Sequence, residues 1–182
     1  MKQKIRKKIK EKIKSYSELE KSQKSAIIKL RLINEEDFKK AKCVMFYVSL
    51  KDEVDTLSMI DETLKMGKRV TVPVILKEEK RLIASEIKNR ENDLECQHFG
   101  ICQPRKGHLK EIPLEDIDLV VVPGVAFDKE NSRLGRGHGY YDRFLCCLPK
   151  RTKTIGLAFD FQIVENLPKD SHDIPVSKII TA

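Results

Sequence analysis

The sequence predicts an α/β domain of three layers, with helices on both faces of a mostly parallel sheet. Short apolar, β-rich runs recur along the chain, and segments with helical spacing lie between them. The runs lack the polar alternation of half-exposed strands, as expected for strands covered on both faces. The 182 residues suit one domain at roughly 150 residues each, and 40% hydrophobic against 35% charged residues is too apolar for a disordered chain. Residues 1–182 are therefore expected to fold together. No apolar run approaches the roughly 20 residues that span a bilayer, and no apolar stretch follows the basic N-terminus as in a secretory signal. Five irregularly spaced cysteines argue against a disulfide framework and for a reducing cytoplasm.

Ile5, Ile9, Ile13 and Tyr16 form one apolar stripe among lysines, predicting a surface helix over about 2–15. Ser17-Glu18-Leu19-Glu20 is a capping-box pattern, so a second helix should run to about Ile33, with Leu19, Ile27 and Leu30 among its buried positions. Cys43 to Ser49 reads as a buried strand. Leu57, Ile60 and Leu64 give a helix closed at Gly67, and Val70 to Leu76 a second strand whose Pro73 marks an end, a bulge or an edge. This strand–helix–strand unit implies a right-handed crossover. Residues 77–117 are polar, with a short strand at Arg81 to Ala84. Asp118 to Val122 is another buried strand. Tyr140 to Leu148 suggests a helix, with Phe144, Leu145 and Leu148 facing inward. Thr154 to Phe159 and Ser177 to Thr181 are the last strands.

The net charge of +8 raises the question of nucleic acid. Residues 1–14 hold eight of the 36 basic residues and one of the 28 acidic ones, leaving 28 against 27 elsewhere. A protein tracking a phosphate backbone spreads its charge along a docking face, whereas here the excess belongs to one helix. No nucleic-acid partner is expected.

In open α/β sheets, ligands bind beyond the carboxyl ends of strands. The segment after the strand ending at Val122 carries Arg133-Leu134-Gly135-Arg136-Gly137-His138-Gly139-Tyr140-Tyr141-Asp142. Alternating glycines let backbone N–H groups approach an anion, a helix start adds its positive end, and two guanidinium forks suit phosphate oxygens. Asp142 offers a hard oxygen for Mg²⁺. The Gly-Lys-Ser/Thr ending of a P-loop is missing, and the glycine spacing is not that of a dinucleotide fingerprint.

Val122 to Asp128 followed by Arg133 to Leu145 closely resembles the signature of the 5-formyltetrahydrofolate cyclo-ligase family. Lys2-Gln3-Lys4-Ile5-Arg6 resembles the opening motif, with Ile for Leu. Val48 to Thr56, Gly67-Lys68-Arg69-Val70 and His172-Asp173-Ile174-Pro175-Val176 resemble further motifs in order. The resemblance implies a fold like that of the NagB/RpiA/CoA-transferase group. It also implies an ATP- and Mg²⁺-dependent closure of 5-formyltetrahydrofolate, with or without a polyglutamate tail, to 5,10-methenyltetrahydrofolate by a cytoplasmic monomer.

The resemblance gives ATP to Lys2, Arg6, Arg133, Gly135, Arg136, Gly137, His138, Gly139, Tyr140 and Tyr141. It gives folate to Val48, Glu53 and Arg136 to Tyr140, catalysis to Arg136 and Tyr140, and Mg²⁺ to Asp142 and Asp173. His138 stands where Lys or Gly is common in the family. Asp128, at the front of the loop, is expected to tolerate Asn better than Asp142. Other readings are a related α/β enzyme for another formyl or carboxyl substrate, a nucleic-acid module, and a zinc site from Cys96, His98, Cys102 and His108, whose spacing matches no familiar pattern. Cys146 and Cys147 are expected to be core or half-buried thiols.

Overall fold

A computed structural model describes residues 1–96 and 102–182. Its main sheet has six strands in the order β11-β9-β6-β1-β2-β3. They are β1 (Cys43–Met45), β2 (Arg69–Leu76), β3 (Arg81–Ile87), β6 (Leu119–Val122), β9 (Lys153–Ala158) and β11 (Lys178–Thr181). All neighbours are parallel except β2 and β3. Pro73 lies where β2 has run past β1 and pairs with β3 alone, so its missing N–H breaks no bond to β1. A second, three-stranded sheet joins β10 (Ile163–Val164), β7 (Ala126–Asp128) and β8 (Arg133–Leu134), and β4 (Leu94–Cys96) pairs with β5 (Cys102–Pro104).

Alternate strand residues divide between two cores. Val44, Val70, Val72, Leu119 and Val121 pack with Ile28 and Leu32 of α2 (Glu18–Asn34), Phe38 of α3 (Glu36–Lys40) and Met59 and Ile60 of α4 (Leu57–Lys65). Met45, Val120 and Val122 face the other way onto Phe127 and onto Phe144 and Leu145 of α6 (Tyr140–Leu145). The far layer is thus a six-residue helix with loops and the small sheet, rather than a full layer of helices. α5 (Arg90–Asp93) is a single turn before β4. α1 (Lys2–Ser15) buries Ile9 and Ile13 against Ala126 and Leu134 of the small sheet, and Tyr16 stacks on Phe161. No helix among the described residues is long and apolar enough to cross a membrane.

The capping box forms, with Ser17 N donating to Glu20 Oε2 at 2.8 Å. The buried face of α2, however, is Ser25, Ile28 and Leu32, while Leu19 and Leu30 are 67% and 61% exposed and Ile27 is exposed as well. The helix is turned so that Ser25 Oγ accepts Asp55 N at 3.1 Å, tying α2 to the entry of α4. The chain leaves α6 at Leu145, which turns Cys146 and Cys147 outward, so both thiols are exposed rather than core. Cys96 and Cys102 are joined as a disulfide, a pairing that the irregular spacing of the five cysteines did not suggest, and both are thereby removed from any zinc set. His98 lies outside the described residues, and His108 Nδ1 rests on Asp93 Oδ1 at 2.9 Å.

Asp128 has a structural role that its place at the front of the loop does not suggest. At 1% exposure, it accepts the N–H groups of Glu130, Ser132 and Leu167 at 3.0, 2.9 and 3.1 Å, closing the β7–β8 turn and fixing the chain after β10. Burial acts to raise its pKa, but these donors outweigh it and hold the carboxyl below its ordinary 3.8. A depressed carboxyl contributes stability above its unfolded pKa and loses it as pH falls. Asp128→Asn should therefore cost about 2 kcal/mol at neutral pH in urea unfolding. That difference should shrink on acidification below 3.8. A pH-independent difference would contradict the role of the charge.

Candidate active site

β1 and β6 are adjacent, but the chain proceeds from β1 to β2 on one side and from β6 to β9 on the other. The connections leaving their carboxyl ends therefore run to opposite sides, the arrangement that leaves a crevice in such sheets. A cavity of about 890 Å³ opens at this point, lined by Tyr47 and Val48 after β1, Pro123 and Gly124 after β6, the glycine loop, one side of α1 and the 170–173 segment.

Every site residue expected from the sequence lines this cavity. In the loop, Gly137 and Gly139 have φ of 106° and 68°, a region that side chains with a Cβ rarely enter. Arg6 Nε donates to Gly135 O at 2.9 Å, and its guanidinium faces Gly137, so α1 and the loop are held in register. Lys2, Arg6 and Lys10 recur every four residues and all line the cavity. Lys10 thus stands with the site residues, whereas the sequence alone groups it with Lys14 as a solvated charge whose replacement changes little; its four-residue spacing from Lys2 and Arg6 was the available signal.

Arg133 and Asp142 tie the loop's two ends together. Arg133 Nη2 donates to Asp142 Oδ1 at 2.7 Å, with the two side chains only 3% and 14% exposed. Arg133 also lies over the Tyr141 ring, 5.7 Å from its centre. Ile174 N reaches the same Oδ1 at 3.4 Å, which brings Asp142 beside the 170–173 segment. Arg133 Nε and Tyr141 OH are buried with no hydrogen-bond partner among the described residues, leaving two donors beside the cavity. Burial, reinforced by the Glu53 charge, pushes the Tyr141 phenol far above its ordinary range, so it remains protonated.

The other cations are held by carboxylates. Lys2 Nζ donates to Asp170 Oδ2 at 2.7 Å and Asp173 Oδ2 at 2.5 Å. Burial would lower the Lys2 pKa, but the two carboxylates raise it above 10.5; Asp173, which burial would raise, is held below 3.8 by Lys2. Arg136 reaches Asp52 Oδ1 at 2.8 Å and Glu53 Oε1 at 3.0 Å. The sequence reading named neither Asp52 nor Asp170. His138 and Tyr140 have parallel rings 6.3 Å apart.

The donor chemistry fits a divalent cation. Ligand atoms of Asp170, His172 and Asp173 lie within 4.8 Å of one another, with the Lys2 ammonium between the two carboxylates where a cation belongs. Asp142 Oδ2 accepts no bond among the described residues, and hard carboxylate oxygens suit Mg²⁺.

A family model for 5-formyltetrahydrofolate cyclo-ligases matches residues 1–182. The chain is 30% identical to the 5-formyltetrahydrofolate cyclo-ligase of Mus musculus, covering 97% of this chain and 91% of that protein. Its fold is similar to the NMR structure of Aquifex aeolicus 5,10-methenyltetrahydrofolate synthetase, with a TM-score of 0.85, 36% identity and coverage of 99% and 89%. The Mycoplasma pneumoniae 5,10-methenyltetrahydrofolate synthetase is similar at a TM-score of 0.78, 27% identity and coverage of 98% and 97%.

The ion pair changes what is expected of Asp142. A helix-end charge is worth about 0.3–1 kcal/mol, whereas stripping the partner from a buried charge costs about 3–5 kcal/mol. Asp142→Asn should therefore lower urea stability by about 3 kcal/mol or more, whatever it does to turnover. A loss within the helix-end range would show that Arg133 does not depend on it.

Proposed function

The chain belongs to the 5-formyltetrahydrofolate cyclo-ligase family, an ATP-dependent ligase that closes 5-formyltetrahydrofolate to 5,10-methenyltetrahydrofolate, and we propose that the cavity between β1 and β6 is where it does so. The convergence of Lys2, Arg6, Arg136 and the positive-φ glycine loop on this cavity carries the reading. Few other arrangements would call for so many cations and exposed backbone donors in one crevice.

A formamide is a poor electrophile, and its oxygen is a poor leaving group. Transfer of the γ-phosphoryl group to the formyl oxygen gives an imino-phosphate and ADP. Attack by N10 on the activated carbon then expels phosphate. This chemistry requires positioning and neutralisation of charge, with no covalent nucleophile. Lys2 and Arg6 bind the phosphates from the α1 side, while Arg136 and the backbone N–H groups of Gly137 to Tyr140 face the phosphoryl group in flight. Arg133 serves the nucleotide indirectly by orienting Asp142, and Tyr141 offers its phenol as a donor. Val48 and Glu53 receive the folate, with the Glu53 carboxylate suited to paired hydrogen bonds from the amino-pyrimidinone edge. Asp142 and Asp173 would hold Mg²⁺, which supplies charge neutralisation beside the phosphates. Were Asp173 to hold that metal, the Lys2 ammonium now on it would be free to turn to a phosphate. Three of the eight basic residues in 1–14, Lys2, Arg6 and Lys10, line the cavity and would then form a substrate surface.

Absorbance growth at the methenyl-folate band should require ATP, a divalent cation and the 5-formyl isomer together. Turnover without ATP would overturn the assignment. Arg6→Ala should raise the KM for ATP by about tenfold or more, since a charge-assisted hydrogen bond is worth about 1.5–3 kcal/mol. Lys14→Ala, on an exposed position, should stay within about twofold. Equal effects would show that the α1 face has been misread.

A further inference from the structure

Arg136 is shared between two neighbouring carboxylates. Its Nε and Nη2 lie 3.3 and 3.0 Å from Glu53 Oε1, and the same Nη2 is 2.8 Å from Asp52 Oδ1. Glu53 is anchored from behind, since its Oε2 accepts Leu50 N at 3.0 Å in a turn closed by Glu53 N on Leu50 O. Asp52 has no other charged partner among the described residues. The proposed reaction makes opposite demands on this pair. Glu53 turns to the pterin and Arg136 to the transferring phosphoryl group, so their mutual contact has to break when both substrates are bound.

Resting on that reading of Glu53 and Arg136, we propose that Asp52 is a positioning residue for the ring closure: it retains Arg136 over the glycine loop once Glu53 is given to the folate. The geometry suits the task. Asp52 engages Nη2 alone, which leaves Nε and Nη1 of the fork for phosphoryl oxygens. An Arg136 released by both carboxylates would regain its rotamer freedom, and ordering it again would weigh on the transition state. Asp52 lies at the rim with its side chain 37% exposed, and a half-exposed ion pair of this kind adds little to folding stability. Its effect should therefore appear in the reaction rather than in the melting temperature. A consequence is coupling between the substrates, because folate on Glu53 removes one of the two holds on Arg136.

The test compares Asp52→Asn, Asp52→Glu and Glu53→Gln with the unmodified chain. It measures kcat, both KM values, the melting temperature, and the affinity for a non-hydrolysable ATP analogue with and without saturating 5-formyltetrahydrofolate. Asp52→Asn should lower kcat by about tenfold with the folate KM and melting temperature unchanged. The analogue should bind normally to that variant alone and several-fold more weakly once folate is present, and Asp52→Glu should recover most of kcat. Glu53→Gln should raise the folate KM. If Glu53→Gln behaves so while Asp52→Asn matches the unmodified chain in kcat and in folate-dependent affinity, Asp52 has no positioning role. If Asp52→Asn weakens the analogue equally with and without folate, or lowers the melting temperature in step with kcat, its role is structural and the proposal fails. If Glu53→Gln leaves the folate KM unchanged, the underlying assignment of Glu53 fails first, and the proposal with it.

Discussion

The buried pair between Arg133 and Asp142 is the interaction on which the site's shape depends. The loop from Leu134 to Gly139 has no helix of its own and only a two-residue strand at its start, so its course is set by what holds its ends. Arg133 at the start of β8 and Asp142 in α6 close it like a clasp, and Ile174 N on the same carboxylate brings the 170–173 segment alongside. Arg6 on Gly135 O then fixes α1 against the loop, and the Ile9–Ile13 stripe anchors that helix on the small sheet. One carboxylate thereby joins the two ends of the loop to the 170–174 segment, and Arg6 adds α1 to them. Paired burial of this kind is weak evidence for net stability, but it accounts well for a loop that must hold several N–H groups in one concave arrangement.

Electrostatics give the cavity a second organising rule. Lys2 and Arg136 face the crevice already paired, each shared by two carboxylates. In both cases one carboxylate is proposed as a ligand to something else, Asp173 to the metal and Glu53 to the folate, while its neighbour is spare. Binding then exchanges one set of ion pairs for another, so neither cation has to be carried unpaired in a desolvated pocket. Lys10, on the same face of α1, has no such partner among the described residues and keeps the open end of that face positive.

Much of this was legible in the sequence because the signals were local. The apolar runs at 43–49, 70–76, 118–122, 154–159 and 177–181 each hold a strand of the main sheet, the first only over Cys43–Met45, and the capping box formed at Ser17. What could not be read depended on distant partners. The rotation of α2 follows from Ser25 reaching Asp55, a bond that apolar periodicity alone does not encode, so a stripe with Ile27 and Leu30 looked equally able to face the core. Asp128 resembled a loop acid until its three backbone donors were brought together from the β7–β8 turn and the chain after β10. Strands of two or three residues, such as β7, β8 and β10, carry too little pattern to register alone. The Asp52–Arg136 and Lys2–Asp170 pairs join residues 84 and 168 positions apart.

The central claim is that α1, the glycine loop and the 170–173 segment form one nucleotide site at the switch between β1 and β6. The most direct measurement is backbone amide chemical-shift mapping of the ¹⁵N-labelled chain titrated with a non-hydrolysable ATP analogue and Mg²⁺. The account predicts that the large shifts fall together, at one saturating concentration, on residues 2–10, 133–142 and 170–174. Shifts confined to the open groove between α2 and β11, near Ile27, Leu30 and Lys178 to Thr181, or shifts on α1 that saturate independently of the loop, would contradict it.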